Sequence, residues 1–513
     1  MGSRLSIGGA NAWKGASFVT EALKAFIALP SSADRDMAHD KDILVRRSRS
    51  LFQNNSFSGA LINSFNTNVV GTGIKPRPSL KQIDLLGITQ EQAEEWQRKT
   101  LDLFSIWANS KNCDSEKKHT FFELQDLALK TELIGGDCFA LTKYRTDNKP
   151  FGLSVKLMET DRCQNPNYIQ DNDRIAEGVE VDDDGAAVAF YFTKKPTWSI
   201  DNYSDIAESV RVPAFDSFGC PNVIHLFTAD RTDQRRGIPL LAPIILQMKQ
   251  QERYQDAELM AAVVSAMFTA FITSNSQNAA DPFYGNVLEE DRVEQMGKNE
   301  PGLAAKAAVE MSPGGIVELE AGEDVKFANP NRPNANYTPF VDGIFREAAA
   351  RCGISYEIVL KKFGDSYNAV RAELFESRKT FDKCKMNFIA DFCQPIYEKW
   401  LTQAVLLGIV DAPGFFEDPI KRALWSGCRW IADSAFLLDP QKETDAIKKQ
   451  LDEQLIDRDT ACAMVNGGDY ERTATALAKE KKFRAEIGLQ EPGTINKSES
   501  FSVSTDNVEE SDL

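Results

Sequence analysis

Apolar side chains recur at three- and four-residue steps through several stretches of the chain, which is the pattern of amphipathic helices. This spacing predicts helices over residues 38–70, 93–108, 121–134, 239–272, 337–352 and 368–407. Pro395 is expected to kink the last of these, because its ring removes a backbone hydrogen bond. One face of that helix is predicted to be apolar, and it carries Phe381, Cys384, Phe388, Phe392, Ile396 and Trp400.

Other stretches predict strands and turns. Partial two-residue alternation indicates strands over 138–144, 153–158 and 221–227, and hairpins over 178–192 and over 315–328. The first hairpin is expected to turn at Gly185, where a positive φ is needed. Thr120 and Glu123 have the spacing of a capping box that starts a helix. Residues 354–367 are interpreted as a loop, and charged helices are expected after Asp439. The chain is therefore predicted to be α+β and mainly helical.

Length and charge narrow the possible functions. The 513 residues are 42% hydrophobic, enough for about three domains with buried cores. The net charge of −17 argues against a protein that coats DNA, since such proteins bind mainly through Lys and Arg. Residues 338–410 carry 10 basic and 9 acidic residues, so the rest of the chain carries −18. A protein that lets DNA pass through it remains compatible with this distribution.

Candidate catalytic chemistry is sparse. The three histidines, His39, His119 and His225, are interpreted as surface or packed residues, and the nine cysteines occur singly, without a CxxC pair. Consecutive carboxylates at 182–184 are typical of a solvated turn, because metal loops need spaced ligands. Glu252, Asp256 and Glu258 are interpreted as the solvated face of a helix. We therefore assign no catalytic residue, no cofactor, no metal ligand and no enzymatic activity.

The longest apolar run, residues 259–272, has 14 residues, whereas a membrane-spanning helix needs about 20. We interpret it as a buried or interface helix and expect no membrane association.

Several short motifs, in order along residues 38–408, resemble those of the portal proteins of lambda-type tailed bacteriophages. They include Arg46-Arg47-Ser48-Arg49, Asn68-Val69-Val70-Gly71, Gly136-Asp137, Val223-Ile224-His225, Gln234-Arg235-Arg236-Gly237, Pro313-Gly314-Gly315, Gly353-Ile354-Ser355 and Ser366-Tyr367-Asn368. The family usually has Gly-Glu at the position of Gly136-Asp137, and a serine at that of Asn368. The motifs matched to the family do not extend into the last hundred residues.

This resemblance implies a portal fold with wing, stem, clip and crown regions. On this chain it implies a flexible arm over 1–37, a mixed α/β wing over 38–238, stem helices over 239–272 and 337–352, and a clip over 273–336. It further implies a tunnel loop over 353–367, a long wing helix over 368–410 and a crown over 411–495. The acidic residues 496–513 are expected to be disordered.

The resemblance also implies a ring of about twelve subunits at one capsid vertex, around a channel for double-stranded DNA. The expected partners are the terminase large subunit, head–tail adaptor proteins, and the major capsid and scaffold proteins. The expected location is the virion, and the host cytoplasm during assembly. Two alternatives are another ring-forming head–tail adaptor and a hydrolase with an unrecognised carboxylate site. Lys361 and Lys362 are either phosphate contacts at the channel constriction or solvated loop charges.

Overall fold

The structure, a computed structural model, describes residues 14–16, 20–26, 30–38, 40–194, 209–267, 271–274, 323–326, 336–363, 367–432, 440–466 and 470–487. The chain divides into two compact units. The first contains Met1–Asn68, Ala128–Leu141 and Leu157–Asn387, and the second contains Val69–Leu127, Thr142–Lys156 and Phe388–Leu513.

Helices dominate the described residues. In chain order they are α1 Ala33–Met37, α2 Lys41–Asn54, α3 Ser56–Val69, α4 Ile83–Leu86, α5 Gln90–Ala108, α6 Phe121–Gly135, α7 Ile245–Met267, α8 Tyr337–Arg351, α9 Tyr356–Leu360, α10 Tyr367–Phe388, α11 Gln394–Leu406, α12 Pro419–Trp425, α13 Pro440–Asp452, α14 Arg458–Asn466 and α15 Tyr470–Glu486. None of them is long and apolar enough to cross a membrane.

The strands form small sheets. They are β1 Lys75–Pro78, β2 Asp137–Tyr144, β3 Leu153–Glu159, β4 Ile175–Ala176, β5 Val179–Val181, β6 Ala187–Thr193, β7 Ser209–Pro213, β8 Val223–Phe227, β9 Phe271–Ser274, β10 Glu323–Lys326 and β11 Cys428–Ile431. The sheet orders are β4–β5–β6–β7, β3–β2–β8, β1–β11 and β9–β10. The α+β, mainly helical prediction is confirmed.

The first unit has an apolar core between its sheets. Phe139 of β2, Val179 of β5, Phe190 and Phe192 of β6, and Val223 of β8 belong to one buried cluster. Alternate residues of these strands point inward, as the two-residue period of a half-buried strand requires. The predicted hairpin over 178–192 is confirmed, with Gly185 at a φ of +87°.

The second unit has an aromatic core. The Phe104 ring of α5 lies 5.1 Å from that of Trp400 and 5.6 Å from that of Tyr397, both in α11. The Phe121 ring also contacts that of Phe104, at 5.7 Å. Edge-on packing of such rings adds to the free energy gained by burying their large apolar area.

Local signals within the predicted helices are mostly confirmed. The Thr120 backbone N–H donates to Glu123 Oε2 at 2.7 Å, and the Glu123 N–H donates to Thr120 Oγ1 at 3.4 Å, which is the expected capping box. The predicted helix over 38–70 is divided at Asn55, whose Oδ1 accepts from the Ser58 N–H at 2.9 Å. An asparagine in this position caps a new helix, because it satisfies a free N–H of the first turn.

The prediction of one helix over 239–272 is wrong at both ends. Residues Ala242–Ile244 form a 3₁₀ turn, and α7 begins only at Ile245, after Pro243. Proline disfavours the helical conformation of the residue before it. At the other end, β9 pairs antiparallel with β10, so Phe271 and Ile272 lie in a strand. Aromatic and β-branched residues favour this extended state once a partner is available.

The predicted helix over 368–407 is interrupted before Pro395. A π-helical turn, Ile389–Cys393, separates α10 from α11. Proline cannot donate to the preceding turn, which accounts for irregular backbone at this point. The predicted apolar face of this helix is confirmed. Five of its six residues, Phe381, Phe388, Phe392, Ile396 and Trp400, are buried, and Cys384 is partly buried.

The interpretation of residues 354–367 as a loop is partly wrong. Residues Tyr356–Leu360 form α9, capped by the Ser355 side chain, which accepts from the Glu357 N–H at 3.3 Å. Charged helices after Asp439 are confirmed by α13, α14 and α15. The predicted strand 315–319, His39 and residues 496–513 lie outside the described residues. The division into arm, wing, stem, clip, tunnel loop and crown stays a prediction.

Candidate functional site

Lys361 and Lys362 follow directly after α9 in the first unit. Lys361 ends the helix with a φ of +54°, and both lysines are exposed to solvent. This left-handed residue ends α9 and turns the chain away from its axis. The lysines therefore project from a short, capped helix rather than from an irregular loop.

The neighbouring helix α8 supplies a counter-charge to one of the two lysines. Lys362 Nζ lies 3.7 Å from Asp342 Oδ2, and the Tyr356 hydroxyl donates a hydrogen bond to Asp342 Oδ1. Burial, followed by this hydrogen bond to a carboxylate, raises the pKa of Tyr356 to about 12. The phenol is therefore protonated at neutral pH and can keep donating to Asp342.

Arg346 and Ser355 hold α9 against its neighbours. The Arg346 guanidinium lies 5.3 Å from the centre of the Tyr356 ring and 3.3 Å from Glu357 Oε1. The Ser355 N–H donates to Ser377 Oγ of α10 at 2.9 Å. Although burial opposes ionisation of Glu357, hydrogen bonds beginning with that from Ser355 keep its pKa below the usual range. This cluster fixes the position from which the two lysines extend.

A second cluster of charges is completely buried in the same unit. Arg236 Nε donates to Asp137 Oδ2 at 2.6 Å, and Arg236 Nη2 donates to Oδ1 at 3.1 Å. Lys41 Nζ lies 3.2 Å from the same Oδ2, and His225 Nε2 lies 3.5 Å from it. The remaining guanidinium donors bond to the carbonyl oxygens of Thr160, Cys163 and Glu177. A buried arginine is tolerated only with such complete pairing.

The buried charges shift one another's protonation. Burial alone would raise the pKa of Asp137, but Arg236 and Lys41 hold it well below its usual range. Burial lowers the pKa of His225 to about 4 and also lowers the pKa of Lys41. At neutral pH His225 is therefore neutral and Asp137 ionised. His225 lies between the rings of Phe139 and Phe227, at 4.3 and 4.4 Å, as a packed residue.

Two glycines let the chain segments of this buried cluster approach closely. A Cβ at Gly237 would overlap the carbonyl oxygen of Gly136, and Gly136 itself has a φ of +88°. Only glycine combines that backbone conformation with so close a contact. The Gly136-Asp137 and Arg236-Gly237 motifs are thus parts of one structural junction.

The acidic and cysteine side chains singled out in the sequence have structural surroundings among the described residues. No three His, Cys, Asp or Glu side chains among them are placed to hold a metal ion. Burial raises the pKa of the Cys163 and Cys352 thiols to about 11, which disfavours the reactive thiolate. Asp182 accepts from the backbone N–H groups of Asp184 and Ala186, which confirms the interpretation of 182–184 as a turn. Glu252 accepts a hydrogen bond from Asn55 at 3.0 Å.

The sequence predicts Lys361 and Lys362 as candidate site residues but does not indicate what surrounds them. Tyr356 lies in a motif that resembles the family, but Asp342 has no such signal, because a single acidic residue on a neighbouring helix has no diagnostic spacing. The Gly136-Asp137 and Arg235-Arg236-Gly237 motifs can be recognised in the sequence, but it does not indicate that they pair with each other or that Lys41 joins them.

Comparison with known proteins finds similar sequences that are both phage portal proteins. The chain is 26% identical to the portal protein of Escherichia phage N15 over 486 residues, covering 91% of this chain and 89% of that protein. It is 25% identical to portal protein B of Escherichia phage lambda over 460 residues, covering 87% and 84%. Two solved structures are also similar: the neck of a native GTA particle computed with C12 symmetry (12% identity, TM-score 0.43, 88% and 94% covered) and the virion of a native gene transfer agent particle (14%, 0.35, 77% and 99%).

The family model of phage portal proteins of the lambda family matches residues 20–385, which is more than half of the chain. This match includes parts of both units and contains the capped helix α9, the two lysines and the buried Asp137–Arg236 pair. The chain belongs to the lambda family of phage portal proteins.

Proposed function

We propose that copies of this chain form a closed ring of about twelve subunits at one capsid vertex, around a channel for double-stranded DNA. The observation that carries this proposal is the portal family match over residues 20–385. Family membership makes the chain a component of the phage virion. We propose further that the ring assembles in the host cytoplasm, where DNA is packaged through it, and that the DNA later leaves through the tail.

The proposed role is structural rather than catalytic. The ring would give the terminase large subunit a docking surface during packaging, and it would later bind head–tail adaptor proteins. Contacts with the major capsid and scaffold proteins would place it at the vertex. Residues 273–336 are the proposed docking region, and of these the structure describes Thr273, Ser274, β10 and Asn336.

Lys361 and Lys362 are the proposed DNA contacts. Both are exposed, and both extend from a helix held by Ser355 and Arg346. A lysine contact with a phosphate is independent of base sequence and weakens with salt. Such a contact suits DNA that must move along its axis. The near-neutral balance of residues 338–410 contrasts with the acidic remainder and supports this location.

The test combines negative-stain electron microscopy of the purified protein with a DNA-packaging assay. Purified wild-type protein should form rings in negative-stain micrographs, and the double variant Lys361→Glu, Lys362→Glu should form the same rings while packaging or retaining less DNA. Lys448→Glu, Lys449→Glu is the matched control, since it reverses two adjacent exposed lysines in the second unit.

Three outcomes would contradict parts of this proposal. Unchanged packaging by the Lys361→Glu, Lys362→Glu variant would overturn the DNA-facing role. Protein that stays monomeric under all conditions would overturn the ring. Monomers with an associated hydrolytic activity would favour an enzyme instead.

A further inference from the structure

We propose that Asp342 sets the resting position of the Lys362 ammonium group and thereby limits how strongly this segment holds a DNA phosphate. Asp342 is then a positioning residue that acts through Lys362. The inference rests on the proposed DNA-facing role of Lys361 and Lys362, and the experiment below separates the two.

The Asp342 carboxylate is shared between two donors. The Tyr356 hydroxyl bonds to Oδ1, and Lys362 Nζ lies 3.7 Å from Oδ2. The side chain of Asp342 is 28% exposed, whereas that of Lys362 is 63% exposed. The carboxylate is therefore partly withdrawn from water, while the lysine tip stays within reach of a ligand.

Tyr356 fixes the carboxylate in place. It is only 4% exposed, and its ring lies beneath the Arg346 guanidinium. Aspartate has a short side chain, so a carboxylate held by a buried hydroxyl cannot follow the lysine outward. Lys362 has a long flexible stem and can exchange Asp342 for another anion. The two partners therefore compete for the lysine.

The two adjacent lysines are not equivalent. Among the described residues Lys361 has no ion-pair partner, whereas Lys362 is close to Asp342. A phosphate that binds Lys362 must displace Asp342 and must also tolerate its negative charge nearby. The screening length at physiological salt is roughly 8 Å, so the repulsion between the Asp342 carboxylate and a phosphate bound to Lys362 is only partly screened. Asp342 should therefore weaken one of the two phosphate contacts and let DNA slide.

The experiment measures binding of a fluorescent 30-base-pair mixed-sequence DNA duplex to the full-length chain by anisotropy, over a series of salt concentrations. Asp342→Asn keeps the shape of the side chain and an acceptor for Tyr356 but removes the charge. We expect about threefold to tenfold tighter binding at low salt. We also expect the slope of log affinity against log salt to become steeper by about 0.9, as for one added phosphate contact.

Matched variants separate a positioning role from a general charge effect. Asp342→Glu should bind like wild type, since the charge is kept. Glu347→Gln removes one negative charge from the same helix and should leave affinity and slope nearly unchanged. The gain from Asp342→Asn should disappear when it is combined with Lys362→Gln, because the effect acts through that lysine.

Several results would overturn the inference. These are unchanged affinity and slope in Asp342→Asn, an equal gain in Glu347→Gln, or a gain that persists without Lys362. If Lys361→Glu, Lys362→Glu weakens duplex binding in the same assay while Asp342→Asn has no effect, the inference fails and the proposed DNA contact stands. If the double reversal has no effect either, the DNA-facing role fails as well.

Discussion

Arg236 and Asp137, 99 residues apart in the sequence, form a bidentate ion pair in the interior of the first unit. Arg236 is 1% exposed and Asp137 is fully buried. The pair joins β2 to the segment that leads into α7, and Lys41 at the start of α2 contacts the same carboxylate. Three distant parts of the chain are therefore held together by one group of charges.

Removing the arginine should destabilise the first unit strongly. Arg236→Met leaves the buried Asp137 carboxylate with only Lys41 as a charged partner, and it removes the guanidinium hydrogen bonds to the carbonyl oxygens of Thr160, Cys163 and Glu177. We expect a loss of about 3 to 5 kcal/mol in the free energy of unfolding, measured by urea titration.

Arg231→Met is the matched control for that substitution. Arg231 pairs with Asp36 at 2.6 Å, but both side chains are about half exposed, so the change should be small. Equal effects of the two substitutions would contradict a special role for the buried pair.

His225 should make the stability of the first unit depend on pH. Its pKa is about 4 in the folded protein and about 6.5 in an unfolded chain, so the unfolded state binds more protons between these values. Stability is therefore complete above about pH 6.5 and falls as the pH drops towards 4. Between pH 7.5 and 5 this histidine should cost about 2 kcal/mol.

The measurement compares urea unfolding of wild type and His225→Gln at both pH values. The variant has no imidazole to protonate, so its loss on acidification should be smaller by that amount. Asp137, Arg236 and Lys41 face His225 in both proteins, and their contribution cancels in the comparison. The same loss in both proteins would show that His225 is not responsible.

A methyl group at Gly237 should separate the two chain segments that meet there. Gly237→Ala places a Cβ on the Gly136 carbonyl, so the backbone must shift and disturb the adjacent ion pair. We expect a loss of about 3 kcal/mol or more in thermal or urea unfolding.

Gly343→Ala provides the contrast to that substitution. A Cβ at this position in α8 meets no atom within 4 Å, and alanine favours a helix, so stability should rise by up to about 1 kcal/mol. A loss there comparable to that of Gly237→Ala would argue against the steric explanation.

In the second unit, the Gln125 side chain satisfies both backbone groups of Ile74. Its Oε1 accepts from the Ile74 N–H at 2.7 Å, and its Nε2 donates to the Ile74 carbonyl at 3.0 Å. Both residues are fully buried, so Gln125→Leu leaves two backbone groups without partners. The expected loss in unfolding free energy is about 2 to 5 kcal/mol.

Gln90→Ala tests whether that loss comes from the buried hydrogen bonds. Gln90 bonds to Glu94 on the exposed face of α5, so water can replace the contact and the change should be near zero. Melting temperatures of the two variants would differ clearly if the buried bonds matter, and would coincide if they do not.

Features that depend on contacts between near neighbours could be predicted from the amino-acid sequence alone. The capping box at Thr120 and Glu123, the turn at Gly185 and the apolar face that includes Phe388 and Trp400 all follow from contacts within a few residues. The ordered motifs along residues 38–408 also indicated the portal family. Such signals can be read from the chain because periodicity and capping depend on fixed short spacings.

Which distant segments of the chain contact one another could not be predicted from the sequence and is known from the fold. Strand β1, Lys75–Pro78, pairs with β11, Cys428–Ile431, although two prolines give β1 no alternating pattern. The pairing of Arg236 with Asp137 and of Lys362 with Asp342 could not be predicted either, since a charged residue in the sequence does not indicate which residue it will pair with. These contacts form because packing the apolar faces brings the residues together, and their free energy depends on burial and distance, which a linear pattern does not contain.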